Sequence, residues 1–432
     1  MNTNVESNKQ RIEKKYVYIF LALFLFELLF FFLIKSNIFE NMDFSIQEAL
    51  QPEYSNNTIS ISLFLKIIYY LNKIFFPYSI IIILNNFSSI YNTFILFNIL
   101  SISYYISYFL KIIFYKIIKN NNGIIYYCGD GWNLPSNEMI ISVVFNLSLW
   151  NILFNEKYKK NIKTLKIIFL VIIIIFNIIN LIYLAKIGYY LFSHLIFSSI
   201  LGVLIYLFIF ETNIIKKYNS KEFCLFVNNK FEHYMIINIV LLILAFIPYI
   251  IQRNIKNNDI SECKSIEGSF YYKNKSAYIT YVDDTFSLIA LFFSNFFVMI
   301  GIKCELTFVF GNNIQNFEQY HFGVNIDDLN IEKDVKYSNT GSIIVTRDTE
   351  WNNTVKIKSI IRLIITFVLT GACFLPYFFI KKDKDIGFST IFLVKYFLSF
   401  SLFSFGATFF FKFIFRLFNL SNEILDSILN DQ

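Results

Sequence analysis

Apolar blocks of about 15 to 25 residues recur along this chain, separated by connectors rich in asparagine and lysine. Hydrophobic residues make up 56% of its 432 residues, and charged residues only 16%. A soluble domain usually contains about 25% charged residues, so this composition excludes an ordinary soluble fold. About 20 apolar residues, each rising about 1.5 Å, cross a bilayer core of about 30 Å. The pattern predicts an all-α polytopic membrane helix bundle.

The apolar blocks predict about nine or ten transmembrane helices. Lysines interrupt the second block, and the fourth block is short for a complete span. The candidate spans are 16–34, 63–84, 90–110, 139–154, 165–184, 188–210, 234–252, 285–302, 359–380 and 389–411.

These spans suggest three regions. A tail at 1–15 precedes a six-helix membrane core at 16–210. The region 211–432 adds further helices, with hydrophilic loops at 253–284 and 303–358.

Basic residues orient the bundle, because cytosolic loops carry an excess of lysine and arginine. The N-terminal tail is basic, and the apolar stretch after it has no small-residue cleavage site, which predicts a retained signal anchor with a cytosolic N-terminus. The connectors 155–164 and 212–233 are also basic. Strict alternation then places the connector 111–138 and the turn 185–188 on the opposite face.

The net charge of +7 is spread over loops. We interpret it as loop charge that orients the helices in the membrane, and we exclude nucleic-acid binding. Three lysines nevertheless fall in the connector 111–138, on the face where basic residues are disfavoured. An anionic ligand there is one explanation, and the general abundance of lysine is the other. The five scattered cysteines have no metal-ligand or disulfide spacing, so no metal site is predicted.

Two short segments on that face carry candidate chemistry. Pro135 and Ser136 stand directly before the fourth span, and a helix N-terminus favours an anion. Ser136 is also a favoured N-cap residue, so a purely structural role stays open. His194, one of three histidines, lies near the start of the sixth span, where an ionisable side chain is either functional or a packing residue.

At these segments the chain resembles the type 2 phosphatidic acid phosphatase superfamily, closest to the sphingosine-1-phosphate phosphatases. That superfamily carries Lys-x6-Arg-Pro after one helix, Pro-Ser-x-His opening the next, and Ser-Arg-x5-His-x3-Asp two helices later. The overlay covers roughly residues 40–210. The matching positions are Lys111, Pro135, Ser136, Asn137, Glu138, His194 and Ser198.

The resemblance implies a role for each of these positions. His194 would attack phosphorus to form a phosphohistidine, and Glu138 would occupy the position of the leaving-group acid. Lys111 and Ser136 would bind phosphoryl oxygens. Two further lysines lie near positions where the family has arginines, namely Lys119 and Lys186. Pro135, Asn137 and Ser198 would support the site.

The departures from the family pattern bear directly on activity. A glutamate beside a phosphate dianion repels it unless the carboxyl is protonated. Lysine lacks the bidentate fork of arginine. Ser198 stands where the family has the aspartate that stabilises the charged imidazole. Losing even one positioned catalytic group typically costs about 10²–10⁴-fold in rate.

The resemblance implies a membrane lipid phosphate phosphatase of the endoplasmic reticulum or another secretory membrane. It would hydrolyse sphingosine-1-phosphate, phosphatidate or a similar lipid on the lumenal face without metal or cofactor. Its partners would be membrane lipids, and self-association stays open. One alternative is a catalytically inactive relative in lipid binding or transport. Another is an unrelated multi-pass transporter, which predicts charges buried at mid-membrane depth.

Overall fold

The computed structural model describes residues 2–36, 38–50, 77, 81, 90–118, 134–154, 162–187, 190–211, 220–254, 277–314, 317, 353–376, 390–418 and 420. Within them the chain is all-α. The helices are α1 Asn2–Lys35, α2 Glu40–Leu50, α3 Ile90–Ile118, α4 Asn137–Phe154, α5 Ile162–Ile187, α6 Phe192–Glu211, α7 Ser220–Asn229, α8 Phe231–Asn254, α9 Ala277–Cys304, α10 Asn353–Cys373, α11 Thr390–Phe405 and α12 Phe411–Leu417.

Six of these helices contain a segment long and apolar enough to cross a membrane, in α1, α3, α5, α6, α9 and the α11–α12 stretch. Helices α7 and α8 form a seventh span if their 74° bend is one broken span. The prediction of an all-α polytopic membrane bundle is therefore confirmed. Helices satisfy all their backbone hydrogen bonds internally, which lipid requires of a spanning segment.

Three of the predicted spans are not among these candidate membrane segments: 63–84, 139–154 and 359–380. Helix α4 has 18 residues, in keeping with a fourth block that is short for a span. Helix α10 contributes a shorter apolar segment, Ile360–Cys373. The predicted second span, 63–84, lies outside the described residues except at 77 and 81.

Two helices begin inside segments that the sequence predicted as hydrophilic loops. Helix α9 begins at Ala277, inside the predicted loop 253–284, and α10 begins at Asn353, inside the predicted loop 303–358. The helical hydrogen-bond ladder extends ahead of the apolar residues, so hydropathy alone placed both helix starts too late.

The helices pack as two groups joined by the most buried spans. In the first group α6 contacts α1, α4 and α5, and α4 also contacts α3. In the second group α9 contacts α8 and α11, while α10 packs against α11. Helices α3 and α9 contact each other and connect the groups. Helices α1 and α5 expose most of their large apolar side chains, which suits lipid contact.

Helices α9 and α11 run parallel along a closely packed seam. Gly301 lies against Thr408, and Glu305 further along α9 pairs with Lys412 further along the α11–α12 stretch. Both helices pass into π-helical segments near this point, at Glu305–Val309 and Gly406–Phe410. Such segments are rare and often accompany functional or strained positions.

Candidate functional site

The predicted site residues that the structure describes lie at one end of the bundle. Lys111 is near the end of α3, Ser136 directly precedes α4, Lys186 is in the last turn of α5, and His194 is in the first turn of α6. Helices α3 and α5 end where α4 and α6 begin, so antiparallel packing brings these positions to the same level.

Ser136 caps α4 and ties it to α6. Its Oγ accepts the N–H of Met139 at 3.2 Å, so it acts as the N-cap. Its own backbone N–H donates to Ser198 Oγ at 2.7 Å, and Ser198 Oγ donates to the carbonyl of His194 at 2.7 Å. The start of α4 is therefore fixed against the turn of α6 that follows His194.

Asn137 ties the same helix start to α3. Ser107 Oγ donates to Asn137 Oδ1, and Ser107 lies one helical turn before Lys111. Pro135 is buried between Leu134 and Ser136. Through these contacts Lys111 shares the α3 face that meets the start of α4.

Glu138 is a hydrogen-bond acceptor in this structure. The hydroxyl of Tyr190 donates to Glu138 Oε2 at 2.6 Å, and Ser136 Oγ donates to the same oxygen at 3.4 Å. Lys111 Nζ lies 5.8 Å from the centre of the Tyr190 ring, within range of a cation–π interaction. Two hydroxyl groups therefore engage Oε2 of Glu138 in this structure.

His194 is buried, with 8% of its surface exposed, and its Nδ1 has no hydrogen-bond partner among the described residues. Ser198, which the resemblance aligns with an aspartate of the family, donates its hydroxyl to the backbone carbonyl of His194. Among the described residues, Nδ1 therefore has no acceptor of the kind that orients a catalytic imidazole.

Asp43 of α2 occupies the N-terminus of α6. Its Oδ1 accepts the N–H of Ser193 at 2.8 Å, and its Oδ2 accepts the Ser193 hydroxyl at 2.5 Å. A carboxylate at a helix N-terminus satisfies exposed N–H groups and interacts favourably with the helix dipole. The backbone position next to His194 that would suit an external anion is filled by the protein itself.

The other predicted residues are two lysines. Lys186 is half-buried in the last turn of α5, four residues before Tyr190. Lys119 lies outside the described residues. In the described part of the chain, no group of three or more histidine, cysteine, aspartate or glutamate side chains is placed to hold a metal ion.

Sequence reasoning did not single out Asp43, Ser107, Tyr190 or Ser193. Asp43 and Ser193 are 150 residues apart, so no local pattern indicates their contact. Tyr190 stands beside the predicted motif, four residues before His194, but its contact with Glu138 depends on how α4 meets α6.

Comparison with known proteins adds no relative: no family model matches the chain, and neither does any curated protein or solved structure. The relation to lipid phosphatases therefore rests on the residues and spacing described above.

The Asp43 cap predicts a pH-dependent contribution to stability. Burial raises the pKa of Asp43, and its two hydrogen bonds from Ser193 offset part of that rise. The folded protein then binds this proton more tightly than the unfolded chain does. Its contribution is full below the ordinary aspartate pKa and falls as pH rises through the raised value.

Asp43→Asn should remove this pH dependence, because the amide stays neutral and keeps an acceptor for the Ser193 N–H. Asp43→Ala should cost about 1 kcal/mol through loss of the cap. Thermal unfolding of the wild type and both variants from acidic to neutral pH tests this. The same pH dependence in the wild type and Asp43→Asn would contradict it.

Proposed function

We propose that this chain is a multi-pass membrane protein that binds the phosphate head of a membrane lipid. The binding site is the headgroup cluster, which we define as Lys111, Ser136, Tyr190 and His194, with Glu138 holding the Tyr190 hydroxyl beside them. The observation that supports this is the set of contacts linking Lys111 to Tyr190, Tyr190 to Glu138, and the start of α4 to the turn after His194.

The headgroup cluster lies at a depth suited to a lipid head. Lys111 ends the apolar segment of α3, and His194 lies near the start of that of α6, so both are close to the membrane–water boundary. Lys111 supplies positive charge, and the first turn of α4 adds the positive end of a helix dipole. The basic N-terminal tail favours a cytosolic N-terminus, which would put this end on the lumenal face of a secretory membrane.

Binding is favoured over hydrolysis by three contacts. Glu138 accepts hydrogen bonds where the family has an acid, Ser198 bonds the backbone and not the imidazole, and Asp43 fills the α6 N-terminus. Each contact occupies a group that phosphohistidine chemistry would use: the leaving-group acid position, the residue beside the imidazole, and the α6 N-terminus that would face a phosphoryl oxygen.

Hydrolysis through His194 is the second candidate. One observation favours it: Nδ1 of this buried imidazole has no partner among the described residues, so this nitrogen is not engaged by another side chain there. A lipid phosphate phosphatase acting on sphingosine-1-phosphate or phosphatidate would use this ring as its nucleophile.

The test measures binding and phosphate release on the same preparations. Purified protein in detergent, with metal chelated, is offered phosphatidate, sphingosine-1-phosphate and their dephosphorylated counterparts. Lys111→Met and His194→Ala are compared with the wild type. Lys166→Met is the matched control, because Lys166 lies at the far end of α5 against Trp150.

We expect binding that requires the phosphate and weakens at least about tenfold in Lys111→Met, since a hydrogen bond to a charged group contributes about 1.5–3 kcal/mol. Lys166→Met should bind as the wild type does. Equal binding by both lysine variants would overturn the proposed site. Phosphate release that disappears in His194→Ala would replace binding with hydrolysis as the function.

A further inference from the structure

Glu27 is an acidic side chain at the centre of a membrane-spanning segment. The apolar part of α1 runs from Val17 to Lys35, so Glu27 lies near its midpoint. Only 5% of Glu27 is exposed, whereas its neighbours Phe26 and Leu28 are exposed. The carboxyl group therefore points into the bundle while the adjacent side chains face lipid.

The buried face of α1 packs against α6. Phe20 contacts Phe208 and Phe31 contacts Phe197, each pair with ring centres 6.2 Å apart, so the two helices are antiparallel. Glu27 lies between these two contacts. Phe31 lies at the level of Phe197, and Glu27 precedes Phe31 by one helical turn. Glu27 is therefore one turn deeper in the membrane than Phe197, which follows His194 by three residues.

Neither carboxylate oxygen of Glu27 has a hydrogen-bond partner among the described residues. The neighbouring helices carry titratable groups of their own: His194 and Tyr206 on α6, Lys111 on α3 and Asp43 on α2. None of these hydrogen-bonds to Glu27, and Asp43 is engaged by Ser193. The carboxyl group is thus buried without a described counter-charge.

An ionised carboxylate in such surroundings has lost its hydration and gained no compensating charge. Protonation removes that cost and leaves a neutral acid that apolar surroundings tolerate. Acidic side chains inside membrane segments commonly mark proton or ion pathways. We propose that Glu27 is a proton-binding site in the membrane interior, occupied by a proton at neutral pH. This inference is independent of the headgroup cluster.

The transporter alternative predicts buried charges in several helices at mid-membrane depth, and Glu27 is one such group. The amino-acid sequence carries most ionisable residues near the ends of its apolar blocks, and Glu27 departs from that distribution. A proton bound here would let the α1–α6 interface respond to pH, with no contribution from the residues that bind lipid.

An apolar carbodiimide tests the proposal, because it reacts with protonated carboxyl groups that water does not reach. The carboxyl proton moves to one carbodiimide nitrogen, and the carboxylate oxygen bonds to the central carbon. The resulting O-acylisourea rearranges to a stable N-acylurea with no loss of atoms. Peptide mapping by mass spectrometry then locates the added mass in the folded wild-type protein in detergent.

We expect labelling of Glu27 at neutral pH, loss of that label in Glu27→Gln, and a falling labelling rate as pH rises. Glu305 of the wild-type protein is the matched control and should stay unlabelled, because it is buried but paired with Lys412. A water-soluble carbodiimide should label Glu27 much more slowly.

Two results would overturn the proposal. One is the absence of label on Glu27 in wild-type protein that elutes as a single folded species. The other is equal labelling of Glu27 by the apolar and water-soluble reagents, which would make it a water-exposed carboxyl. Both results come from the wild type, so the test stands even if Glu27→Gln does not fold.

Discussion

Replacing Lys412 by methionine is expected to destabilise the C-terminal helices by about 3–5 kcal/mol, the usual cost of leaving one partner of a buried ion pair alone. Lys412 Nζ lies 3.0 Å from Glu305 Oε1 and 3.1 Å from Oε2. Glu305 is only 3% exposed, so water cannot replace the lost ammonium group.

The matched experiment removes both charges. A Glu305→Leu/Lys412→Met double variant should recover most of the lost stability, because an apolar pair of similar volume avoids the desolvation cost altogether. Reversible unfolding in mixed detergents measures all three proteins. A loss below about 1 kcal/mol in Lys412→Met, typical of an exposed pair, would show that this ion pair is solvated.

Gly301→Ala should destabilise the same seam by about 1–3 kcal/mol, as overpacking of a close contact does. A β-carbon at Gly301 would lie 1.9 Å from Thr408 Oγ1 and 2.9 Å from Thr408 Cβ. The Thr408 side chain cannot easily change rotamer to make room, because it is β-branched and its hydroxyl donates to the carbonyl of Ser404 at 2.8 Å. The helices must then separate locally.

Gly371→Ala is the control for this prediction. A β-carbon at Gly371 of α10 meets nothing within 4 Å, so alanine there should gain up to about 1 kcal/mol from helix propensity. A Gly301→Ala/Thr408→Gly double variant should be more stable than Gly301→Ala alone. Equal stability of Gly301→Ala and Gly371→Ala would mean that α9 and α11 are not packed as described.

The amino-acid sequence predicts the membrane helices well because lipid imposes one dominant requirement. A block such as 165–184 has to be a helix once it enters a bilayer, and α5 spans it. Helix ends are less predictable, since α9 begins at Ala277, ahead of its apolar part. Hydrophilic residues can extend a helix beyond the bilayer, where their polar side chains do not enter lipid.

The candidate site was predictable only in part. The Pro135–Ser136 start of α4 and the histidine of α6 follow from local chemistry, and Ser136 is the N-cap that its residue type favours. The cap from Asp43 depends on a contact between distant segments. Glu27 is visible as one acid in an apolar run, but only packing reveals that it turns away from lipid.

The parallel seam between α9 and α11 has a consequence for how the chain is made. Glu305 and Lys412 are separated by 107 residues, so a ribosome adding about 5–20 residues per second needs roughly 5–20 seconds to supply the lysine. During that interval the glutamate of α9 would face lipid without its counter-charge. We therefore expect α9 to stay beside the insertion machinery until α11 emerges, and the two helices to enter the bilayer as one unit.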